Sequence, residues 1–485
     1  MMPALQHVTV EPMDPLRFEA VLSAGEFESL RYLIADAARG LHGRVIWNVN
    51  STATGGGVAE MLRPLLGYCR GMGVDARWAV ISGDPEFFLI TKRIHNRLHG
   101  FAGDGGPLGA AEHEVYERTV VANAAELIEL VHPQDVVILH DPQTAGLAQS
   151  VRQTGATVIW RCHVGLDSVN DYARDAWSFL RGYVVEAHRF VFSRGGFAWE
   201  GLPRERITVI HPSIDAFSPK NADQSIEQSR AILSKAGIVP QHDTDPATFT
   251  RSDGTPGRVD RAATILEEEP LGPEDRLVVQ VSRWDGLKDP LGVLGAFAQH
   301  VDPATGAHLL LAGPSTEAVA DDPEGAQVLA SVVEAWQALP GEVRRRVHLA
   351  SLPMDDSEEN AAIVNSVQRA ASVVMQKSLA EGFGLTVAEA MWKQRPVVAS
   401  RIGGIRDQID DGGSGLLISD PRDLKQVGEA VGGLLADRER ADRMGAAARV
   451  RVQQHFLGPQ HLGRYFEVIR RLASERVVAK GAARR

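Results

Sequence analysis

The segment AEGFGLTVAEAMWK, residues 380–393, places Glu381 and Glu389 with seven residues between them. Gly382 and Gly384 flank Phe383 and leave backbone N–H groups able to approach an anion, while Leu385, Ala388 and Trp392 recur at helical spacing. A phosphate at the positive end of that helix, with two carboxylates nearby to bind hydroxyls, is one chemistry this spacing supports. A structural role is the other. Thr386-Val-Ala-Glu389 also fits an S/T-x-x-E capping box, in which Glu389 only secures the helix start.

Three further stretches carry polar residues at the ends of apolar runs. In VSRWDGLKDP, Arg283 and Lys288 are two cations five positions apart on a loop, suited to a diphosphate whose charge grows as its bond to a sugar breaks. In NVNSTATGGGVAEML, a strand runs through a Ser/Thr loop into Gly55, Gly56 and Gly57 and then a helix. That arrangement permits close backbone approach to a sugar or phosphate, although a tight turn would also use glycines. In VIWRCHVGLD, a strand leads to Arg161, Cys162 and His163, and VVILHDPQ ends likewise on His140 and Asp141. A histidine there can hydrogen-bond a sugar hydroxyl or move a proton.

These residues need rigid elements to hold them. Short apolar runs at Arg44–Val49, Ala76–Ile81, Asp135–Leu139, Thr157–Trp160, Arg189–Phe192 and Ile207–Ile210 alternate with amphipathic stretches. The alternation predicts a parallel-sheet α/β domain over residues 1–215. It resumes at Leu277–Val281, His308–Ala312, Arg346–Ala350, Val373–Gln376 and Pro396–Ser400, predicting a second doubly wound sheet over 216–455. A polar stretch at about 241–262 reads as a surface insertion or loop. Residues 456–485 read as a helix crossing back toward the first domain, with a tail, GAARR, that frays. Parallel sheets bind ligands at the carboxyl ends of their strands, so the motifs are expected to face a cleft.

With 485 residues and a net charge of −11, the chain is not a general nucleic-acid binder. No apolar run approaches a membrane span, and no secretory signal is legible at the start. Cys69 and Cys162 are the only cysteines, which suits a reducing cytoplasm and cannot make a zinc cluster. There is no H-E-x-x-H and no G-x-S-x-G, so zinc hydrolysis and serine-esterase chemistry lack their residues. Asp243-Thr-Asp245 has the form of a metal-binding DxD, but it falls in the polar insertion and is read as coincidence.

Together, GGGVAEML, SRWDGLK, EGFGLTVAEAMW and IGGIRDQIDDGGSGLLI resemble family 4 of the retaining glycosyltransferases, from about Arg44 to Phe466. NST-x-x-GGGVAEML, EFF near Glu86, HDPQ at 140–143 and WRCH at 160–163 are similar to its trehalose glycosyltransferring synthases. The resemblance implies a GT-B fold, two Rossmann-like domains around a cleft, and transfer of glucose from NDP-glucose to free glucose. A retaining trehalose phosphorylase using glucose 1-phosphate and a non-catalytic nucleotide-sugar sensor are the alternatives. It implies that Glu389 binds the donor ribose, Glu381 contacts the transferred glucose, and Arg283 with Lys288 holds the diphosphate, joined by backbone from Gly382, Phe383, Gly384, Leu385 and Thr386. His163 would face the reacting sugar, Gly56 and Gly57 the donor phosphate or acceptor, Ser351 and Leu352 the base, and Asp141 with Arg161 the acceptor. No cofactor or metal is required on this reading, magnesium being at most a stimulant, and a homodimer is compatible with it. ADP-, UDP- and GDP-glucose are not distinguished.

Overall fold

The computed structural model describes residues 5–54, 56–240, 245–272, 275–316 and 323–483, with side chains left aside at 323 and from 476 onward. Gly55, Asp243 of the DxD and the last two residues of the GAARR tail lie outside the described residues. The chain separates into two compact units, Met1–Ser213 with His455–Arg485, and Ile214–Gln454.

The first unit is built on a sheet of seven strands: β1 (Leu5–Val8), β2 (Val45–Asn50), β3 (Asp75–Ile81), β4 (Val136–His140), β5 (Thr157–Cys162), β6 (Arg189–Phe192) and β7 (Ile207–Val209). Their order is β1-β3-β2-β4-β5-β6-β7, parallel except for β1. β4 and β5 are buried at every position, which is why they read as continuous apolar runs rather than alternating ones.

The second unit has a helix, Ile226–Lys235, preceding a short antiparallel hairpin, β8 (Thr248–Thr250) and β9 (Pro256–Arg258). Its own seven-stranded sheet follows: β10 (Thr264–Leu266), β11 (Arg276–Val281), β12 (Ala307–Pro314), β13 (Val347–Leu352), β14 (Ala371–Gln376), β15 (Val397–Ser400) and β16 (Leu416–Ile418). The order is β10-β13-β12-β11-β14-β15-β16, with β10 the antiparallel edge.

Both sheets reverse their winding at one point. The chain winds outward from β2 through β3 and then restarts beyond β2 with β4; it winds from β11 through β12 and β13 and restarts beyond β11 with β14. Ligands of open α/β sheets bind at such switch points, outside the carboxyl ends of the flanking strands. The polar motifs follow β2 and β4 in one unit and β11 and β14 in the other.

One expectation needs correcting. The polar stretch is not a loop: residues 245–262 form the β8–β9 hairpin, with Phe249 and Val259 buried. The final helix spans Gly458–Ala483 and belongs to the first unit, preceded by a separate helix, Arg438–His455.

Candidate functional site

In the second unit, β11 ends at Val281 and the chain turns through Ser282, Arg283 and Trp284 into a short 3-10 turn, Gly286–Lys288. Asp285 caps that turn, its Oδ1 accepting from Leu287 N at 2.8 Å and its Oδ2 from Arg283 Nη2 at 2.9 Å. Gln280 Nε2 donates to the Lys288 carbonyl at 2.8 Å, and Leu379 N to the Leu287 carbonyl at 2.7 Å. The turn is therefore tied to its own strand and to the segment after β14. Lys288, held this way, pairs with the Glu381 carboxylate. Arg283 instead extends toward solvent, its side chain 63% exposed. Buried Lys377 pairs with Asp289, the left-handed residue (φ 52°) that caps the helix Pro290–His300. These contacts cross the switch point, as does Gln376 Nε2, which donates to the Val281 carbonyl at 2.9 Å.

The loop from Glu381 to Gly384 leads into the helix Leu385–Trp392, whose N-cap is Gly384 at φ 84°. Thr386 lies inside this helix and no side chain caps it, so the capping-box reading of Thr386 and Glu389 is overturned. Glycine supplies a left-handed residue that no β-carbon-bearing threonine would adopt without strain, and the helix begins there. Glu389 is released from capping; it is buried and lies 3.6 Å from Lys220 Nζ. Lys393, one turn on, donates from Nζ to Asn221 Oδ1 at 3.0 Å, and burial pushes its ammonium down to about 7.

Loop carbonyls are turned inward. Gly404 N donates to the Gly382 carbonyl at 2.9 Å, and Gln408 Nε2 to those of Phe383 (2.5 Å) and Gly384 (3.2 Å). The first amides of the helix Leu385–Trp392 have no partner within it, which is the condition for an anion to bind at that end. Ser351 and Leu352 close β13 at the same edge of the sheet; Leu352 is buried, and its carbonyl accepts from Ser315 N at 2.8 Å. Thus Arg283, Lys288, Glu381, Gly382–Leu385, Glu389, Ser351 and Leu352 all gather at the carboxyl ends of this sheet.

The first unit carries a second polar group at its switch point. His140, the last residue of β4, lies between Asn48 of β2 and His163 after β5: His140 Nε2 is 3.0 Å from Asn48 Oδ1, and His140 Nδ1 is 3.0 Å from His163 Nε2. With Asn48 Oδ1 accepting, His140 carries its proton on Nε2 and accepts from His163 at Nδ1. Burial, reinforced by Arg161, pushes His140 down to about 3 and His163 well below the usual imidazole range. Both rings are neutral at ordinary pH, which leaves His163 a hydrogen-bonding group and a poor carrier of protons.

Asp141 adopts φ 63°, a left-handed conformation uncommon outside glycine, and accepts from His163 N at 2.8 Å through Oδ1. Arg161 is fully buried; Nη2 donates to Ser193 Oγ at 3.4 Å, whereas Nε and Nη1 have no hydrogen-bond partner among the described residues. Gly56 (φ 77°) opens the helix Gly56–Gly71 with open space where a β-carbon would project, and Gly57 is exposed. His461 and Tyr465, from the final helix, join Asn48 and His140 around an apolar cavity of about 30 Å³. The motifs did not single out Asn48, Gln280, Gln376, Lys377, Gln408 or His461. For Asn48, Gln280, Gln376 and Lys377 the one available signal was a polar residue inside or just after an otherwise apolar strand run; Gln408 and His461 lie on helices and carried no such signal.

Desolvation pushes Asp141 up to about 7, against the opposing effects of the His163 amide and Arg161. Between the unfolded value of about 4 and the folded value, the native state binds more protons, so stability falls as pH rises through this window. Asp141→Asn keeps a residue type that tolerates the left-handed backbone and removes the titration. Its urea midpoint relative to wild type is expected to improve steadily from about pH 4 to about pH 8. An offset that does not change with pH would rule out this burden on the carboxylate.

Among the described residues no group of three or more His, Cys, Asp or Glu is placed to hold a metal, and no helix is long and apolar enough to cross a membrane. Cys69 and Cys162 are buried thiols.

Comparison with known proteins matches residues 48–199 to the family model "Trehalose synthase, N-terminal domain" and residues 354–451 to "Glycosyl transferases group 1". A trehalose synthase of Pyrococcus horikoshii is 34% identical over 443 residues, covering 90% of this chain and 92% of its own. One from Rubrobacter xylanophilus is 32% identical, covering 88% and 91%. Among solved structures, an α,α-trehalose-phosphate synthase (UDP-forming) from Burkholderia vietnamiensis superposes with a TM-score of 0.63 at 14% identity, covering 88% of this chain and 98% of that one.

Proposed function

Because the chain belongs to the trehalose synthase family of GT-B glycosyltransferases, we propose that it transfers glucose from an NDP-glucose to the anomeric hydroxyl of free glucose, with retention, giving α,α-trehalose and NDP. The observation that carries this reading is the Lys288–Glu381 pair, set beside the inward-turned glycine loop at the switch point of the second sheet. There a cation, a carboxylate and a helix N-terminus converge on one patch, which is what a sugar diphosphate requires.

In this reading Lys288 and Arg283 take the diphosphate, with amides from Gly382 to Thr386 beside them. Glu381 binds hydroxyls of the transferred glucose, Glu389 the ribose, and the strand end Ser351–Leu352 the base. Asp141, Arg161 and His163 receive the acceptor, and Gly56 and Gly57 let a sugar or phosphate approach the backbone. The bond from the anomeric carbon to the diphosphate oxygen breaks as the acceptor oxygen attacks from the same face. The acceptor proton passes to the departing phosphate, so no protein nucleophile is needed. Neutral His163 suits this role, since it orients a hydroxyl while the phosphate takes the proton. The reading gives no metal or cofactor a step, and magnesium at most a stimulating one.

Incubating the full chain with glucose and, separately, ADP-, UDP- and GDP-glucose is expected to yield trehalose and NDP from at least one donor. Trehalose formed only from glucose 1-phosphate would replace this reading with a phosphorylase. NDP-glucose binding without any transfer would leave a sensor.

A further inference from the structure

The β8–β9 hairpin has no part in the reaction above, yet its contacts concentrate on one place. Arg251, just after β8, donates from Nη2 to Asp356 Oδ2 at 2.6 Å and from Nη1 to Asp356 Oδ1 at 3.3 Å and Glu358 Oε2 at 3.2 Å. Ser252 N donates to Glu358 Oε1 at 2.9 Å. On the far side of the hairpin, Asp260 N and Arg261 N both donate to Glu359 Oε1 at 2.7 Å, and the Arg261 guanidinium pairs with Glu359 Oε2 and, at 3.6 Å, with Asp355. Each acidic residue from 355 to 359 is therefore gripped by the hairpin.

That segment is the continuation of β13. After Ser351 and Leu352 the chain passes through Pro353 and Met354, both half-buried, to Asp356, which caps the helix Ser357–Ala370. Asn360 Nδ2 donates to the Pro353 carbonyl at 2.9 Å, so the helix fixes one end of this four-residue connection. Asp356 accepts from Glu358 N and Glu359 N and from Arg251 at once, and the guanidinium holds its carboxyl down to about 2. The hairpin is closely packed: Phe249 lies against Gly257, where an added β-carbon would come within 2.5 Å of the ring, and Val259 is fully buried. A loop at the carboxyl end of a parallel strand is where a ligand is read, and its rigidity sets how much ordering cost binding must meet.

We propose that the hairpin at residues 245–262 is a positioning element for the base end of the nucleotide donor, acting through Arg251 and Arg261 on the connection Pro353–Asp356. This rests on the donor reading given above, with the base at Ser351–Leu352. The phosphate end is held by other residues, Arg283, Lys288 and the loop after Glu381, so the two ends can be separated by experiment.

The test compares the full chain with Arg251→Ala, Arg261→Ala and Arg251→Lys, by calorimetric titration with NDP and, separately, with pyrophosphate, which has no base. Arg251→Ala is expected to weaken NDP binding about tenfold and raise the donor KM in parallel. Pyrophosphate affinity, the glucose KM and kcat at saturating donor stay within about twofold. Arg261→Ala shifts the same quantities less, and Arg251→Lys recovers part of the loss by keeping a charge on Asp356. NDP and pyrophosphate weakened equally would mean a general loss of fold, and the proposal falls. Unchanged NDP affinity in both alanine variants, with wild-type binding intact, overturns this inference alone. A wild-type chain that binds no NDP overturns it together with the donor reading.

Discussion

Replacing Lys288 by alanine is expected to lower kcat by about 10²–10³-fold, equivalent to roughly 2.7–4 kcal/mol of lost transition-state stabilisation. The backbone around it should not move. Its carbonyl is held by Gln280, the turn is capped by Asp285, and Leu379 N fastens the Leu287 carbonyl, none of which uses the ammonium. Negative charge accumulates on the diphosphate only as the sugar bond breaks, so a cation at that point helps the transition state more than the bound substrate. The donor KM should therefore change much less than kcat. The lost ammonium also leaves the Glu381 carboxylate, 13% exposed, without its ion pair, which adds repulsion toward the donor. Lys288→Arg keeps the charge and should recover part of the rate. Arg283→Ala should fall in the same direction; its guanidinium reaches solvent and pairs with Asp285, so folding is expected to be untouched. Steady-state kinetics with donor varied at saturating glucose, alongside melting curves, decide the matter. Near-normal kcat in a folded Lys288→Ala protein would take the residue out of the reaction.

Gly403→Ala is expected to be the most damaging single methyl addition near the residues proposed to bind the donor. A β-carbon there would lie 1.9 Å from the Glu381 carbonyl oxygen, on a backbone at φ 46° that already disfavours any other residue. Neither backbone can yield cheaply, because Gly404 N is bonded to the Gly382 carbonyl and Gly404 itself has no room, an added β-carbon meeting Phe383 Cα at 2.7 Å. The loop carrying Glu381 must then shift. We expect a loss of about 3 kcal/mol or more in unfolding free energy, together with loss of NDP binding. Gly412→Ala is the control: φ is 82° but nothing lies within 4 Å of the added carbon, so only the backbone cost of about 1–2 kcal/mol applies. Urea unfolding of both variants separates steric contact from backbone strain. If the two lose the same stability and both bind NDP normally, the close approach to Glu381 carries no weight.

The strands that place the motifs were legible because they are central and parallel. β4 and β5 are buried on both faces, so VVILH and TVIW stand out as apolar runs that stop where the polar motifs begin, at His140 and Arg161. β1, β10 and β16 were missed, being edge strands of three or four residues with little pattern to read. The hairpin reads as a surface insertion or loop for a related reason: three-residue strands rich in Thr, Pro and Gly look like turns, and the acidic partners of Arg251 and Arg261 lie about a hundred positions away.

At the level of single residues, local sequence determined which groups could act: Arg283 and Lys288 after β11, Glu381 beside two glycines, His163 after β5. It left open whether Glu389 capped a helix or served a ligand, because Thr386-x-x-Glu389 satisfies both patterns. The tertiary structure settled against the cap, since the helix is capped at Gly384, two residues too early for Thr386 to serve. Only folding could pair Lys288 with Glu381, bring Asn48 to His140, or turn the carbonyls of Phe383 and Gly384 toward Gln408. Periodicity records which face of an element is buried, and a strand end follows from it. The partner met across a switch point is set by strand order, which leaves no periodic trace in either segment.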